Sequence, residues 1–443
     1  MSGQASYLLD RAWLDGRVQE DVVVSVADGR FTRVEVGAEH ARLETTRLRG
    51  LTIPGLANAH SHAFHRALRG RTQRERGTFW TWREKMYAVA SRLDPDAYFA
   101  LAAATYREMV AAGITCVGEF HYLHHQPDGT AYDEPNAMAL ALVEAAREAG
   151  IRIALLDTCY LSSGFGAAVE GAQVRYSDGD ADAWADRTHR LRAHQRPGVV
   201  IGAAVHSVRA VPREQLRTVV AAAAGVPLHV HLSEQQAEND ACRAAYGVSP
   251  TELLHDAGAL GPATSAVHAT HLGEHDVRLL GESATRSCFC PTTERDLGDG
   301  IGPSRALRAA GSPLTLGSDS HAVIDLFEEM RAVELNERLA TQQRGHWTSG
   351  ELLDAATWVG QESLGFADAG RIAVGMRADL VTVDTGSPRT AGTGADENSL
   401  VFAATAQDVL EVMVDGVVVV RQGDRAEIGR ELDEAIDTIW KAM

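Results

Sequence analysis

Eight apolar runs, separated by longer helical stretches, constrain this chain's fold more than any other feature. They span 51–57, 114–120, 151–160, 199–205, 227–231, 265–268, 284–290 and 313–317. Buried parallel strands read as unbroken apolar runs, because helices cover both faces of their sheet. The stretches between carry helical patterning, as in 137–149, which Gly150 closes. Glycine suits a helix C-terminus because it accepts left-handed backbone without strain. Alternating strands and helices imply a parallel sheet. Eight such units over roughly 270 residues match a (β/α)8 barrel, which typically takes about 250.

The two ends of the chain read differently. Asp21–Ala27 and Phe31–Val36 look like strands joined by the turn signal Asp28-Gly29, and 378–384 and 409–420 look alike, with Asp415-Gly416 as a second hairpin signal. Chain ends often meet, so these segments are expected to build one small β-domain. The fold class is therefore α/β: a (β/α)8 barrel of the TIM type over 54–374, a small β-sandwich from 1–53 and 375–430, and a C-terminal helix over 431–443. Stretches 164–186 and 387–398 are the least patterned and are expected to be loops.

The formal net charge of -18 excludes a role that rests on attraction to phosphate backbones, so no nucleic acid partner is expected. The N-terminal stretch lacks the basic and apolar regions of a secretory signal, and no run of about eighteen apolar residues occurs. Five cysteines, an odd number without zinc-ribbon spacing, fit free thiols in a reduced cytoplasmic protein with no membrane partner.

Chemistry in a barrel sits where strands run out at their C-terminal ends. The titratable residues gather there. His60 and His62 follow the first run; Glu119, His121 and Tyr122 the second; His206 and Arg209 the fourth; His229, His231 and Glu234 the fifth; His268 and His271 the sixth; Asp319 the eighth. Residues two apart on a strand share a face, so His60 and His62 can hold one cation. His231 and Asp319 would complete a site of the kind that binds one Zn²⁺ and leaves a position for water. His229 lies deeper on the same strand and is expected to pack or to support the ligands. Zn²⁺ brings the pKa of its water down to about 7. Glu234, three residues past His231, is placed to shuttle the proton. His268 is placed to orient the water, and Asp319 can also accept a proton. Cys288 and Cys290 are expected to pack.

The order P-G-L-x-N-x-H-S-H, H-x-H-x-x-E, a downstream His and G-S-D, with a closing Gly370–Val381 segment, resembles the amidohydrolase superfamily. No lysine follows the fourth run, where the binuclear members carry one, so the chain is similar to the mononuclear deaminase branch. The segments HSHAFHRALRG, TFWTWREKMY, EFHYLHH, HSVRAV, HLSEQ, VHATH, TTERDLGDG and LGSDSH resemble the formimidoylglutamate deiminases over nearly the whole chain. That resemblance implies zinc, release of ammonia from a small-molecule dicarboxylate, N-formimino-L-glutamate, and a place in histidine degradation. Arginine's planar fork suits carboxylate. Arg83, flanked by Trp80 and Trp82, and Arg209 are the matching candidates, with Tyr122 and His206 beside them. His65 stands where the family commonly has Gln facing the formimino end, and Asp296 where a small or amide residue is usual. Barrels of this kind often pair, so a homodimer is expected. The alternative is a related mononuclear deaminase acting on an aromatic amine such as a nucleobase or nucleoside. That activity calls for an uncharged stacking pocket, which the two arginines oppose. A metal-free scaffold on the same barrel would lack ligands that this chain retains.

Overall fold

The computed structural model describes residues 5–37, 45–73, 79–421 and 424–441. The chain opens on four strands, β1 (Ala5–Leu14), β2 (Arg17–Ala27), β3 (Arg30–Val36) and β4 (Thr46–Pro54). Eight more follow, alternating with helices: β5 (Leu56–Ser61), β6 (Ile114–His121), β7 (Arg152–Cys159), β8 (Val199–Val205), β9 (Leu228–Leu232), β10 (Thr264–His268), β11 (Arg286–Phe289) and β12 (Leu314–Leu316). β13 (Leu380–Val383), β14 (Val409–Val414) and β15 (Val417–Arg421) return to the first group, and a helix over Arg425–Lys441 ends the described chain. Among the described residues no helix is long and apolar enough to cross a membrane.

β1–β4 and β13–β15 form one hydrogen-bonded sheet in the order β15-β14-β13-β4-β1-β2-β3. It is mixed: β1 pairs β4 in parallel and its other pairs are antiparallel. Its hairpins turn on Asp-Gly pairs with φ values of 45° and 81° at Asp15-Gly16, 51° and 74° at Asp28-Gly29, and 47° and 78° at Asp415-Gly416. Two-residue turns with positive φ at both positions match the twist of the flanking strands. Leu9, Val22, Val24, Phe31, Leu380 and Met413 pack into the core of this sheet.

The eight central strands pair in parallel in sequence order from β5 to β12. The ring closes where the last strand meets the first. Ser61 and Asp319 bridge in parallel, Asp319 N–H donates to the His60 carbonyl at 3.0 Å, and His62 N–H donates to the Asp319 carbonyl at 3.2 Å. A close approach makes this possible. A Cβ at Gly317 would lie 2.8 Å from the His60 carbonyl oxygen and 2.9 Å from Cys290 Sγ. Cys288 and Cys290 pack with Ala59 and Val267 inside the barrel, in the packing role expected of them.

Two expectations need correction. The apolar run 51–57 is two strands: Leu51–Pro54 belongs to the terminal sheet as part of β4, and β5 starts at Leu56. Both halves are buried on both faces, so hydropathy does not mark the junction. It falls at Gly55, where a Cβ would collide with Thr115. The stretch 164–186 is not all loop, since it holds a 3₁₀ turn at Gly171–Tyr176 and the start of a helix over Ala181–Leu191. That helix buries Trp184, Arg187 and Thr188 against Asp157 through polar bonds. Two of its five buried positions, Arg187 and Thr188, are polar and interrupt the apolar stripe that betrays a helix.

Arg152, on β7, fastens the barrel to the terminal sheet. Its buried guanidinium pairs with Asp379, beside β13, through both nitrogens, and reaches Asp415 at 3.2 Å and Gln361 at 3.2 Å. Removing one partner of a buried pair leaves the other's charge uncompensated, which costs about 3–5 kcal/mol. Arg152→Met should lower unfolding stability in urea by that order. An unchanged transition midpoint would count against the junction.

Candidate active site

Four donors converge at the closure point. His60 Nε2 lies 3.1 Å from His231 Nε2 and 3.2 Å from Asp319 Oδ1, and His62 Nε2 lies 3.3 Å from the same oxygen. The four donor atoms all lie within 4.8 Å of one another, and all four residues are buried. His62 Nδ1 faces the Phe120 carbonyl at 2.9 Å, and His231 Nδ1 faces the His206 carbonyl at 2.9 Å. A carbonyl only accepts, so in both rings Nδ1 carries the proton and Nε2 points its lone pair inward. Burial, with the neighbouring histidines adding to it and Asp319 opposing it, holds the His60 imidazole down to about 4; burial and its histidine neighbours hold His231 well below its ordinary value, so both rings are neutral at pH 7. Lone pairs and a carboxylate facing one another this closely repel unless a cation sits among them. Zn–N bonds of about 2.0–2.1 Å in a tetrahedron put ligand atoms about 3.3 Å apart, in line with the separations between these donors. The donor set fits a divalent metal.

The surrounding backbone is strained where it aims these groups. Ser233, His268, Ala269, Asp319 and His321 have φ values of 52°, 68°, 49°, 41° and 57°. Non-glycine residues enter this left-handed region at a cost and cluster at functional sites. Behind the donors runs a one-way chain of hydrogen bonds. The Asn58 amide donates to Ser318 Oγ at 2.7 Å, Ser318 Oγ pairs with His321 Nδ1 at 3.0 Å, His321 Nε2 with Ser61 Oγ at 3.1 Å, and Ser61 Oγ donates to Glu119 at 2.8 Å. Glu119 also accepts from Ala63 N–H at 2.7 Å. Burial pushes its carboxyl up to about 7, although these bonds oppose the shift.

His268 sits beside the metal donors, with Nε2 3.8 Å from Asp319 and 3.9 Å from Glu234, and Nδ1 3.5 Å from Glu294. Burial disfavours its charge, but Glu234, Glu294 and Asp319 together raise it well above the ordinary imidazole value. Glu234 is one-fifth exposed at the side chain. The enclosing walls raise its carboxyl, His268 opposes the rise, and Asp319 adds to it. Asp299 backs this group with a carboxyl that burial, and then Glu234, push up to about 9.

One cavity of about 70 Å³ joins these parts. His62, His231, Asp319, Glu234 and His268 line one end; Arg83, Arg209, Tyr122, His65 and His206 line the rest. Such a volume has room for several waters or one small ligand. His65 Nε2 lies 3.2 Å from the Tyr122 hydroxyl. His206 packs its ring against Tyr160 and Tyr122, with centroids 4.6 and 5.4 Å away. Arg209 reaches the Ser163 carbonyl at 3.4 Å; burial works against its charge, and Tyr160 and Glu238 sustain it. Arg83 bonds the Tyr87 hydroxyl at 2.5 Å. Trp82 lines the cavity, whereas the side chain of Trp80 falls outside the described residues. The structure thus brings the predicted site residues to one chamber, except His60, which is fully buried behind it against His231 and Asp319. His229 stays in the interior, apart from the four donors, and burial lowers it to about 3. Asp296 accepts from Gln73 at 2.9 Å.

Residues 51–419 match the sequence family described as the Amidohydrolase family. The chain belongs to the amidohydrolase family. It is 38% identical to the formimidoylglutamate deiminase of Pseudomonas aeruginosa, over 90% of this chain and 91% of that one. It is 31% identical to a 5-methylthioadenosine/S-adenosylhomocysteine deaminase of Halobacterium salinarum, over 90% and 88%. Among solved structures, an amidohydrolase from Brucella melitensis superposes with a TM-score of 0.91 at 32% identity, covering 98% of this chain and 100% of that one. This amidohydrolase is a hydrolase acting on carbon–nitrogen bonds, with a site for a divalent metal and a chamber for a small-molecule substrate.

The sequence reading missed Tyr87, Tyr160 and Tyr176, which line the chamber, and Glu294 beside His268. Tyr160 ended the third apolar run, and Tyr87 stands one helical turn beyond Arg83, so both signals were present. A second group of donors, His121, His124 and Asp157, lies close together. It does not suit a cation. Asp157 accepts two bonds from Arg187, one from Trp184 and one from Thr188, which neutralise and saturate it. His124 donates through Nε2 to the Thr158 carbonyl at 2.8 Å, and burial lowers its pKa to about 4. Its folded value lies below the ordinary 6.5. The unfolded chain therefore takes up the proton first as pH falls, and this contribution to stability, whole above about pH 6.5, is lost toward pH 4. The unfolding midpoint should drop between pH 7.5 and 5. His124→Gln, which keeps a donor for Thr158, should shrink that drop, and an undiminished drop would contradict this assignment.

Proposed function

We propose that this amidohydrolase carries out the zinc-dependent hydrolytic deimination of N-formimino-L-glutamate, giving N-formyl-L-glutamate and ammonia, as a step of histidine degradation. The observation that carries the reading is the shared chamber: two arginines stand in the same cavity as the metal donors His62, His231 and Asp319. A substrate with carboxylates at one end and an amidine at the other fits that polarity. The 38% identity to a formimidoylglutamate deiminase supports it, and the histidine-rich donor set supports zinc. Five free, buried thiols fit a reduced cytoplasmic setting.

His60, His62, His231 and Asp319 would hold the metal, which supplies Lewis acidity and lowers the pKa of water. Arg83 and Arg209 anchor the two carboxylates, and Tyr122, His206 and His65 add donors along the chamber. This fixes the formimino carbon at the end where Glu234 and His268 stand. His268 orients the attacking water. The water oxygen bonds to the formimino carbon, and the bond to the terminal nitrogen breaks. Both water protons end on that nitrogen, which leaves as ammonia. Glu234, raised by its enclosure, carries the first proton across. Asp319, whose second oxygen faces His268, can receive the other.

The test is ammonia release by protein of measured metal content, offered formiminoglutamate, guanine and adenosine separately. Release is expected from the first alone. Glu234→Gln should cut turnover by about 10²–10⁴-fold with bound metal unchanged. Release from guanine or adenosine but not formiminoglutamate would establish the aromatic-amine alternative. Full activity in the variant would remove Glu234 from its role.

A further inference from the structure

Gln173 lies outside the chamber wall, in the 3₁₀ turn Gly171–Tyr176, and it is buried. Its side-chain carbonyl accepts from Glu170 N–H at 3.3 Å. That bond fixes which end of the amide faces inward. The NH₂ group therefore points at the chamber, where it donates to the Tyr87 hydroxyl at 3.0 Å and the Tyr160 hydroxyl at 2.9 Å. The amide has two protons, and each tyrosine takes one. Arg175 ties the same turn down through three backbone carbonyls, those of His125, Ala90 and Leu93.

The consequence lies in the tyrosine protons. Tyr87 oxygen already accepts from Arg83 and from Gln173, so its own proton has to be given away. Tyr160 oxygen accepts from Gln173. Among the described residues neither hydroxyl has an acceptor for its proton, and both line the cavity beside Arg83 and Arg209. Two O–H donors next to two guanidiniums make a surface of one polarity. It suits an anionic oxygen pair and repels nothing but donors and cations.

We propose that Gln173 is a positioning residue for substrate selection: its amide locks Tyr87 and Tyr160 as proton donors and so completes, with Arg83 and Arg209, a subsite for carboxylate. This rests on the dicarboxylate reading above. The subsite acts on ligand capture and leaves the metal end untouched.

Glutarate is a suitable inert probe, measured by titration calorimetry on metal-loaded protein. Wild type should bind it. Gln173→Leu removes the amide donors and should weaken binding about tenfold, in the range expected for lost hydrogen bonds to a charged group. KM for formiminoglutamate should rise in step, with kcat and metal content unchanged. In a Tyr87→Phe/Tyr160→Phe background the same substitution should add little, because the hydroxyls it acts through are gone. Gln173→Glu, nearly isosteric, serves if the leucine variant does not fold. It keeps the bond to Glu170 but turns the tyrosine protons away from the chamber, so it should weaken glutarate at least as much. Wild type that fails to bind glutarate overturns the dicarboxylate reading and this proposal together. Wild type that binds it, with either variant binding equally well or the full loss persisting in the phenylalanine background, overturns the role of Gln173 alone.

Discussion

The backbone bridge between His60, His62 and Asp319 is the contact on which the rest of the molecule depends. A parallel ring has to be closed by joining its last strand to its first, and here the two closing hydrogen bonds are made by the residues that carry the metal donors. Closure and ligand geometry are thus one event. Gly317 lets the backbones meet by offering no side chain. The hydrogen bonds that run from Asn58 to Glu119 tie β5, β6 and the segment after β12 into one unit. Glu119, accepting at both oxygens, gives that chain its direction.

Burying so many imidazoles is unfavourable unless each nitrogen finds work. Two of the metal-side rings use Nδ1 on backbone carbonyls and turn Nε2 inward. The carboxylates around His268 do the opposite, holding a proton on a ring that burial alone would strip. Neutral ligands and a proton-bearing neighbour stand side by side because their partners differ, not because their depth does. The strained φ values at Ser233, His268 and Asp319 show where the fold concedes stability to aim these groups.

Much of this was legible in the sequence. The barrel follows from eight apolar runs, and the Asp-Gly hairpins of the terminal sheet follow from turn chemistry. The four donors could be read because they are rare, titratable residues at strand ends, where topology fixes position. What stayed hidden has a common cause. The split at Gly55 leaves no trace in hydropathy, since both β4 and β5 are buried on two faces there. The helix over Ala181–Leu191 buries Arg187 and Thr188 against Asp157, so the apolar stripe on its inner face is interrupted. Tyr87 and Gln173 come to the chamber from a helix and a short turn whose positions depend on tertiary packing around Arg175. Only Tyr87, one helical turn beyond Arg83, carries a local hint of what it faces; the sequence around Gln173 carries none.

The pairing of β4 with β13 and of β5 with β12 joins early segments of the chain to late ones. A ribosome delivers the histidine pair long before the aspartate that completes the cluster, and delivers β4 long before its partner β13. The emerging chain therefore spends most of its synthesis with an open sheet edge and an unfinished ligand set. The four donors can meet only once residue 319 has emerged, after ten of the fifteen described α-helices have been made.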